Sequence, residues 1–255
     1  MPASTPSMLR IAGAHAKLNL LENVREPIAI IGTTVFPTLA LLFFVVPQSA
    51  IADDPTAATG AAAQLGAFAV MSVCIFTFGI GIAEDRARPF DGYVRSLPAG
   101  PLPQFLGRLR TGVLLMLMGL AAVTLVASTL TEARLSPDRL MLTLGTLLLG
   151  ALPLLLIGFA VGYTLTQKSA IAVAQLLFFG FAFGGGMFIP PDGFPSWLDA
   201  ISQWLPSRSS RDLVVWAVGS GDVAAQTFTT LALWGMAGAA LTVWGFRRDE
   251  GRRFR

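Results

Sequence analysis

Apolar and polar positions in this chain segregate into long blocks rather than the short alternations of a water-soluble fold. Six blocks, residues 28–46, 61–83, 111–128, 140–165, 169–189 and 224–246, run for 18 to 26 residues without one Asp, Glu, Lys, Arg or His. About 20 mostly apolar residues carry a helix across the roughly 30 Å hydrocarbon core of a bilayer. The pattern predicts an all-α membrane protein with six transmembrane helices. Its connections are too short for a large soluble domain; the longest, residues 190–223, has 34 residues.

Local signals refine the ends. Residues 7–26 carry Leu9, Ala12, Ala16, Leu20 and Val24 at helical spacing, with Arg10, Lys17, Asn19, Glu22 and Arg25 elsewhere, which predicts an amphipathic helix on the membrane surface before Pro27. Ala50-Ile51-Ala52 before Asp53 has the small residues of a signal-cleavage site, but a 19-residue apolar block behind a 27-residue lead reads as a span. Ser136-Pro137-Asp138 marks the start of span four, with a cap, then Pro at the first helical position, then an acid in the first turn. Gly158 with Gly162, and Gly180 with Gly184, each fit the close-approach GxxxG spacing, which serves packing within one chain and dimerisation equally.

Between spans five and six, Gly184-Gly185-Gly186 and Pro190-Pro191 predict a stop. A short helix is expected from Ser196, with Trp197, Leu198, Ile201, Trp204 and Leu205 on one face and an end at Pro206. A second is expected to open at Ser209-Ser210-Arg211-Asp212 and to run over residues 213–218. Both are too short to span and too apolar to stand in water, so they are expected to be re-entrant or interfacial.

Composition changes the picture in one respect. Only 13% of the 255 residues are charged and 54% are apolar, half the charge usual for a soluble domain. The net charge is +3, and 14 of the 18 Lys and Arg fall in the leader, the second and fourth loops and the tail, against 4 in the intervening loops. By the positive-inside rule both termini are expected in the cytoplasm. The basicity is thus topology, and no nucleic-acid partner is implied. The chain divides into a leader with its interface helix (1–27), a six-span domain (28–246) and a basic tail (247–255).

Several chemistries lack their residues. Cys74 and His15 are the only Cys and His, so no Cys- or His-based metal site and no His-activated serine protease in the bilayer is expected. Uncharged spans argue against ion-coupled transport, and no GxxxxGK[ST] loop is present to cradle ATP. No catalytic residue is expected; ATP-driven work would come from another polypeptide, with the Arg-rich second cytoplasmic loop as the place where it would dock.

That loop resembles a known one. Glu84-Asp85-Arg86-Ala87-Arg88-Pro89-Phe90-Asp91-Gly92-Tyr93-Val94-Arg95-Ser96-Leu97-Pro98, followed by Leu106-Gly107-Arg108, is similar to the loop after span two in permeases of the ABC-2 type, closest to the daunorubicin-resistance drug-export branch. It departs at Arg88-Pro89, where that branch prefers Gly, and at Gly92, where Arg is usual. Gly185-Gly186-Met187-Phe188-Ile189-Pro190-Pro191, then Pro195-Ser196-Trp197-Leu198 and Trp204-Leu205-Pro206, resembles the outer segment before the last span.

The resemblance implies a non-enzymatic permease subunit in the bacterial plasma (inner) membrane. It would pair with a second permease subunit, identical or not, and with cytoplasmic ABC ATPase subunits that bind ATP and Mg. Residues 84–110 would form the coupling loop, with Glu84, Asp85, Arg86, Phe90, Tyr93, Arg95, Leu97, Pro98 and Arg108 as its contact positions. Arg86 and Arg95 supply polar contacts there, and Phe90, Tyr93 and Leu97 the packing anchors. Residues 190–219 would form the extracellular gate, with Pro190, Pro191, Trp197, Leu198 and Trp204; the two Trp suit interfacial anchoring equally well. Spans two and five would line the path, with Phe76, Phe78, Phe178, Phe179, Phe183 and Met187 as candidates for amphipathic drug-like or lipid-like cargo. A secondary carrier or channel component and a structural membrane scaffold are the alternatives.

Overall fold

The computed structural model describes Gly13, residues 31–88 and residues 102–253. The expected interface helix and Phe90, Tyr93, Arg95, Leu97 and Pro98 lie outside the described residues. Within them every regular element is helical. A π-helical turn, Ile31–Val35, leads into α1, Phe36–Phe44, and a single turn, Ser49–Ala52, precedes α2. Helix α2 runs Pro55–Ser72, winds as a π-helix over Val73–Ile80, and continues as Gly81–Ala87. Then come α3 (Leu102–Leu130), α4 (Pro137–Thr164), α5 (Gln167–Gly184), α6 (Ser196–Ser202), α7 (Pro206–Ala217) and α8 (Ala225–Arg253).

Five of these, α2, α3, α4, α5 and α8, are long and apolar enough to cross a membrane. The first expected span appears as a shorter apolar helix, Thr33–Phe44, and residues 28–30 of it lie outside the described set. Helix α8 continues unbroken through Arg247 and Arg248 to Arg253, so residues 247–253 of the basic tail continue the last helix. Basic residues suit the last turns, where the unpaired carbonyls concentrate negative charge.

The helix starts follow from their caps. Asp54 accepts from the backbone N–H of Thr56 at 2.7 Å and of Ala57 at 2.8 Å, with Pro55 at the first helical position of α2. Ser136 and Pro137 open α4 as the sequence predicts. Pro206 corrects one expectation: it opens α7 instead of closing α6. A proline at that position loses nothing, because its N–H would have no partner in the helix. Two glycines with left-handed backbone close helices. After α5, Gly186 at φ +75° lets Met187 N–H reach the Ala182 carbonyl at 3.0 Å, and after α7, Gly219 at φ +86° lets Ser220 N–H reach the Val215 carbonyl at 3.0 Å. Both are Schellman closures, and the first ends span five at Gly184, short of the expected Ile189.

Helix α2 is the axis of the bundle, buried on most of its surface, with α1, α3, α4, α5 and α7 packed around it. Its π-wound stretch lies against α4, where glycines admit backbone to backbone. A Cβ on Gly158 would stand 2.1 Å from the Cys74 carbonyl oxygen, and one on Gly162 would stand 2.7 Å from Ile82 Cβ and 2.9 Å from the Phe78 carbonyl. The first GxxxG pair therefore packs within the chain. In the second pair, Gly180 faces open space and Gly184 meets Leu205. Phe78 is buried with its ring over Gly112 of α3 and edge-on to Phe159 of α4 at 5.3 Å.

Helix α7 is inserted into the bundle: Pro206, Ser207, Ser209, Ser210, Leu213, Val214, Val215 and Ala217 are buried against α4, α2 and α8. Helix α6 is the exposed one: its Trp197 and Ile201, and Trp204 just beyond its end, are more than half exposed. Of the two short helices, α7 fits the re-entrant reading and α6 the interfacial one.

The glycine contacts give a direct test. Gly158→Ala is expected to lower stability by about 1–3 kcal/mol through overpacking. Gly180→Ala, on a helix face with free space, is expected to be neutral or to gain up to about 1 kcal/mol. Thermal unfolding of the detergent-solubilised variants checks both.

Candidate functional site

Polar side chains gather at the two ends of α2, with an aromatic seam between. At the end reached by Ala87, Arg86 turns into the bundle. Its Nη1 donates to the carbonyls of Gly162 at 2.7 Å and Leu165 at 3.1 Å, at the C-terminal end of α4, and its Nη2 pairs with Asp249 of α8 at 2.6 Å. Both side chains are largely buried, 18% and 8% exposed. One guanidinium fork thus ties three helices and satisfies carbonyls that α4 leaves unpaired. Beside it, Asp85 pairs with Arg108 of α3 and, at 3.7 Å, with Arg88, whose side chain is half exposed. Arg108 also donates to the Thr77 carbonyl, 3.3 Å away in the π-wound stretch. Of the expected coupling positions, Asp85, Arg86 and Arg108 form this cluster, and Glu84 sits half-buried in the first turn of the same helical segment.

Towards the opposite end, in the third turn of α2, Gln64 is 8% exposed and uses both halves of its amide. Nε2 donates to the Met187 carbonyl at 2.9 Å, and Oε1 accepts from Arg211 Nε of α7 at 2.9 Å. Arg211 pairs with Asp212 at 2.8 Å, Asp212 with Arg208 at 2.7 Å, and Arg208 with Asp199 of α6 at 3.0 Å and Ser202 Oγ at 2.8 Å. Two arginines and two aspartates cancel within the chain of contacts. The Arg208 guanidinium, then the Gln203 amide, hold the Asp199 carboxyl below the usual carboxylate range.

Between these ends, rings from α1, α2, α5 and the turn after α5 touch in series. Phe188 contacts Phe68 at 4.9 Å, Phe183 at 5.2 Å and Phe36 at 6.2 Å; Phe178 contacts Phe76 at 4.7 Å and Phe68 at 5.1 Å. Of the expected pathway residues, Phe179 and Phe183 present their rings on the surface and Phe76 is half-buried. Phe78, Phe178 and Met187 lie inside the chain. Of the expected gate residues, Pro191 is buried, Leu198 half-buried, and Pro190, Trp197 and Trp204 exposed. Trp204 is held through its carbonyl, which accepts from Trp234 Nε1 of α8 at 2.8 Å. Among the described residues no group of His, Cys, Asp or Glu could hold a metal ion.

No motif marks Gln64, Asp249 or the ion pairs of Arg208 and Arg211, whereas Phe188 lies within the outer-segment motif. The sequence does carry a faint signal for two of them: Gln64 is the one amide in residues 61–83, and Asp249 is an acid set directly behind Arg247-Arg248.

Two outcomes follow from the polar ends. Arg86→Ala, which removes a contact made by a buried carboxylate and two helix-end carbonyls, is expected to cost about 1.5–3 kcal/mol, and the apolar pair Arg86→Met with Asp249→Leu to recover part of it, read as a double-mutant cycle on unfolding. At α6, a carboxyl whose folded pKa is depressed contributes stability above its unfolded pKa and loses it as pH falls through the folded value. A nitroxide at the exposed Ala200 is therefore expected to keep constant mobility from neutral pH down to about pH 4, and to loosen only below that.

Comparison with known proteins bears on this architecture. The family described as ABC-2 type transporter matches residues 14–218. A protein of Bacillus subtilis (strain 168) named "Putative transport permease YvfS" is 27% identical over 140 residues, 55% of this chain and 57% of that protein, so the chain spans little more than half the length of the relative it matches. Matched over most of its length and built of apolar helices that suit repeated membrane crossing, the chain belongs to the ABC-2 type transporter family.

Proposed function

We propose that this chain is the membrane subunit, the permease, of an ATP-driven exporter, akin to the daunorubicin-resistance branch, that moves amphipathic drug-like or lipid-like molecules outward across a bacterial plasma membrane. Six spans with both termini cytoplasmic, a second permease subunit and separate ABC ATPase subunits holding ATP and Mg complete the reading.

One observation carries it. The segment leaving α2 at Ala87 and returning at α3 starts from a helix end that Arg86 fastens to α4 and α8 and that Arg108 fastens to α3. A push delivered to this end of α2 would be passed to four helices at once. Arg95, with Phe90, Tyr93, Leu97 and Pro98, would supply the docking surface for the ATPase. Arg86 and Arg108 would act behind it by transmitting the load. The cargo class follows from the seam: Phe179 and Phe183 offer exposed rings beside Phe76, and the spans hold no charge to pair with an ionic group. Phe78, Phe178 and Met187 would support that surface from within, and Pro190, Pro191, Trp197, Leu198 and Trp204 would belong to the outer gate.

Co-expressed with an ABC ATPase from its own genome, the chain is expected to co-purify as a complex whose ATP hydrolysis rises several-fold with a panel of amphiphiles including daunorubicin. Arg95→Ala combined with Leu97→Ala is expected to weaken assembly at least about tenfold. Undiminished assembly would remove the docking role, and hydrolysis indifferent to every amphiphile and lipid extract would remove the cargo class.

A further inference from the structure

We propose that Gln64 is a reversible latch between α2 and the helices of loop five, a positioning residue that holds α6 and α7 closed until α2 moves. The proposal rests on the exporter reading above and names how its gate would be held. The geometry is specific. One amide reaches two segments that are far away in sequence: the turn ending α5, through the Met187 carbonyl, and α7, through Arg211. From Arg211 the contacts continue through Asp212 and Arg208 to Asp199 and Ser202 of α6, so a displacement of Gln64 removes one supporting contact from the turn after α5 and one from α7, on which α6 in turn is held.

The chemistry suits release rather than permanent fastening. Gln64 is neutral, so parting from Arg211 leaves no uncompensated charge on α2, and Arg211 keeps its own aspartate. A carboxylate at position 64 would instead form a poorly solvated ion pair, which is strongly destabilising to break. The Arg208, Arg211 and Asp212 side chains retain 16–18% exposure and Asp199 38%, enough for water to reach them as they separate. Ser207 adds a polar group that the closed arrangement leaves unpaired among the described residues. Its hydroxyl is buried at the first turn of α7 against Gly185 and has no hydrogen-bond partner among the described residues, an uncommon state for a buried polar group.

A merely structural contact and a latch differ in the sign of what they predict. Gln64→Ala removes both hydrogen bonds; Gln64→Glu keeps the size, gives up the donor to the Met187 carbonyl, and turns the contact with Arg211 into an ion pair. The native Cys74 is fully buried, so a cysteine introduced at exposed Ala200 can be spin-labelled selectively in the full chain in nanodiscs. The mobile fraction of that label is expected to rise about tenfold in Gln64→Ala, the loss of a hydrogen bond to a charged group, and to stay at or below wild type in Gln64→Glu. In the complex with the partner ATPase, adding ATP and vanadate is expected to mobilise the label in wild type, to add nothing in Gln64→Ala, and to leave Gln64→Glu immobile. A label equally immobile in wild type and Gln64→Ala would overturn the latch, as would a nucleotide response in Gln64→Glu equal to that of wild type. If Gln64→Ala does not fold, the Gln64→Glu response decides alone. A label freed by Gln64→Ala in the chain alone, yet indifferent to nucleotide in wild type, would sink the exporter reading while leaving the latch standing.

Discussion

The backbone of α2 touches the backbone of α4 where Gly158 and Gly162 face the π-wound stretch, and the other helices are placed by that contact. In a lipid-facing bundle the solvent is as apolar as the side chains, so helices adhere through close packing and hydrogen bonds instead of through exclusion from water. Two missing Cβ atoms let α2 sink into the centre, and with α2 buried there its ends become the meeting points of everything else. Arg86 finds the end of α4 within reach, Arg108 finds a carbonyl of the π stretch, and Gln64 finds the turn after α5.

Charge is distributed by the same constraint. Ionised groups are excluded from the apolar spans, so the polar contacts that fix helix positions collect at the two ends, where partial exposure lowers the desolvation cost. The ends differ in kind. Around Arg86 the pairing is direct, buried and charge-assisted, and it holds the ends of α2, α4 and α8 together. Around Gln64 a neutral amide stands between the axis helix and a self-neutralised set of arginines and aspartates. One end is suited to bearing load and the other to yielding.

The elements were largely legible in the sequence because apolar runs of span length and caps such as Ser136-Pro137-Asp138 are local signals. The reading of Pro206 failed locally as well: proline stops one helix or starts the next, and only the chain's path selects. The pairings were not legible. Gln64 and Met187 are 123 residues apart, Gln64 and Arg211 147, and Arg86 and Asp249 163. No spacing rule reaches across such distances. The aromatic candidates show the same limit. A list of phenylalanines on two spans does not separate Phe78, pressed onto Gly112, from Phe183, which faces outward; only the rotation of each helix does.

The π winding of Val73–Ile80 has a consequence of its own for α2. Accommodating an additional residue over a stretch of helix changes the angular phase between its two ends, since each residue of an α-helix turns the chain by about 100°. Each residue so accommodated turns the positions after Ile80 by about 100° relative to those before Val73. The stretch therefore helps set the phase between the Gln64 contacts and the Arg86 contacts of one helix. Its length is therefore as much a part of the polar design as the residues that make the contacts.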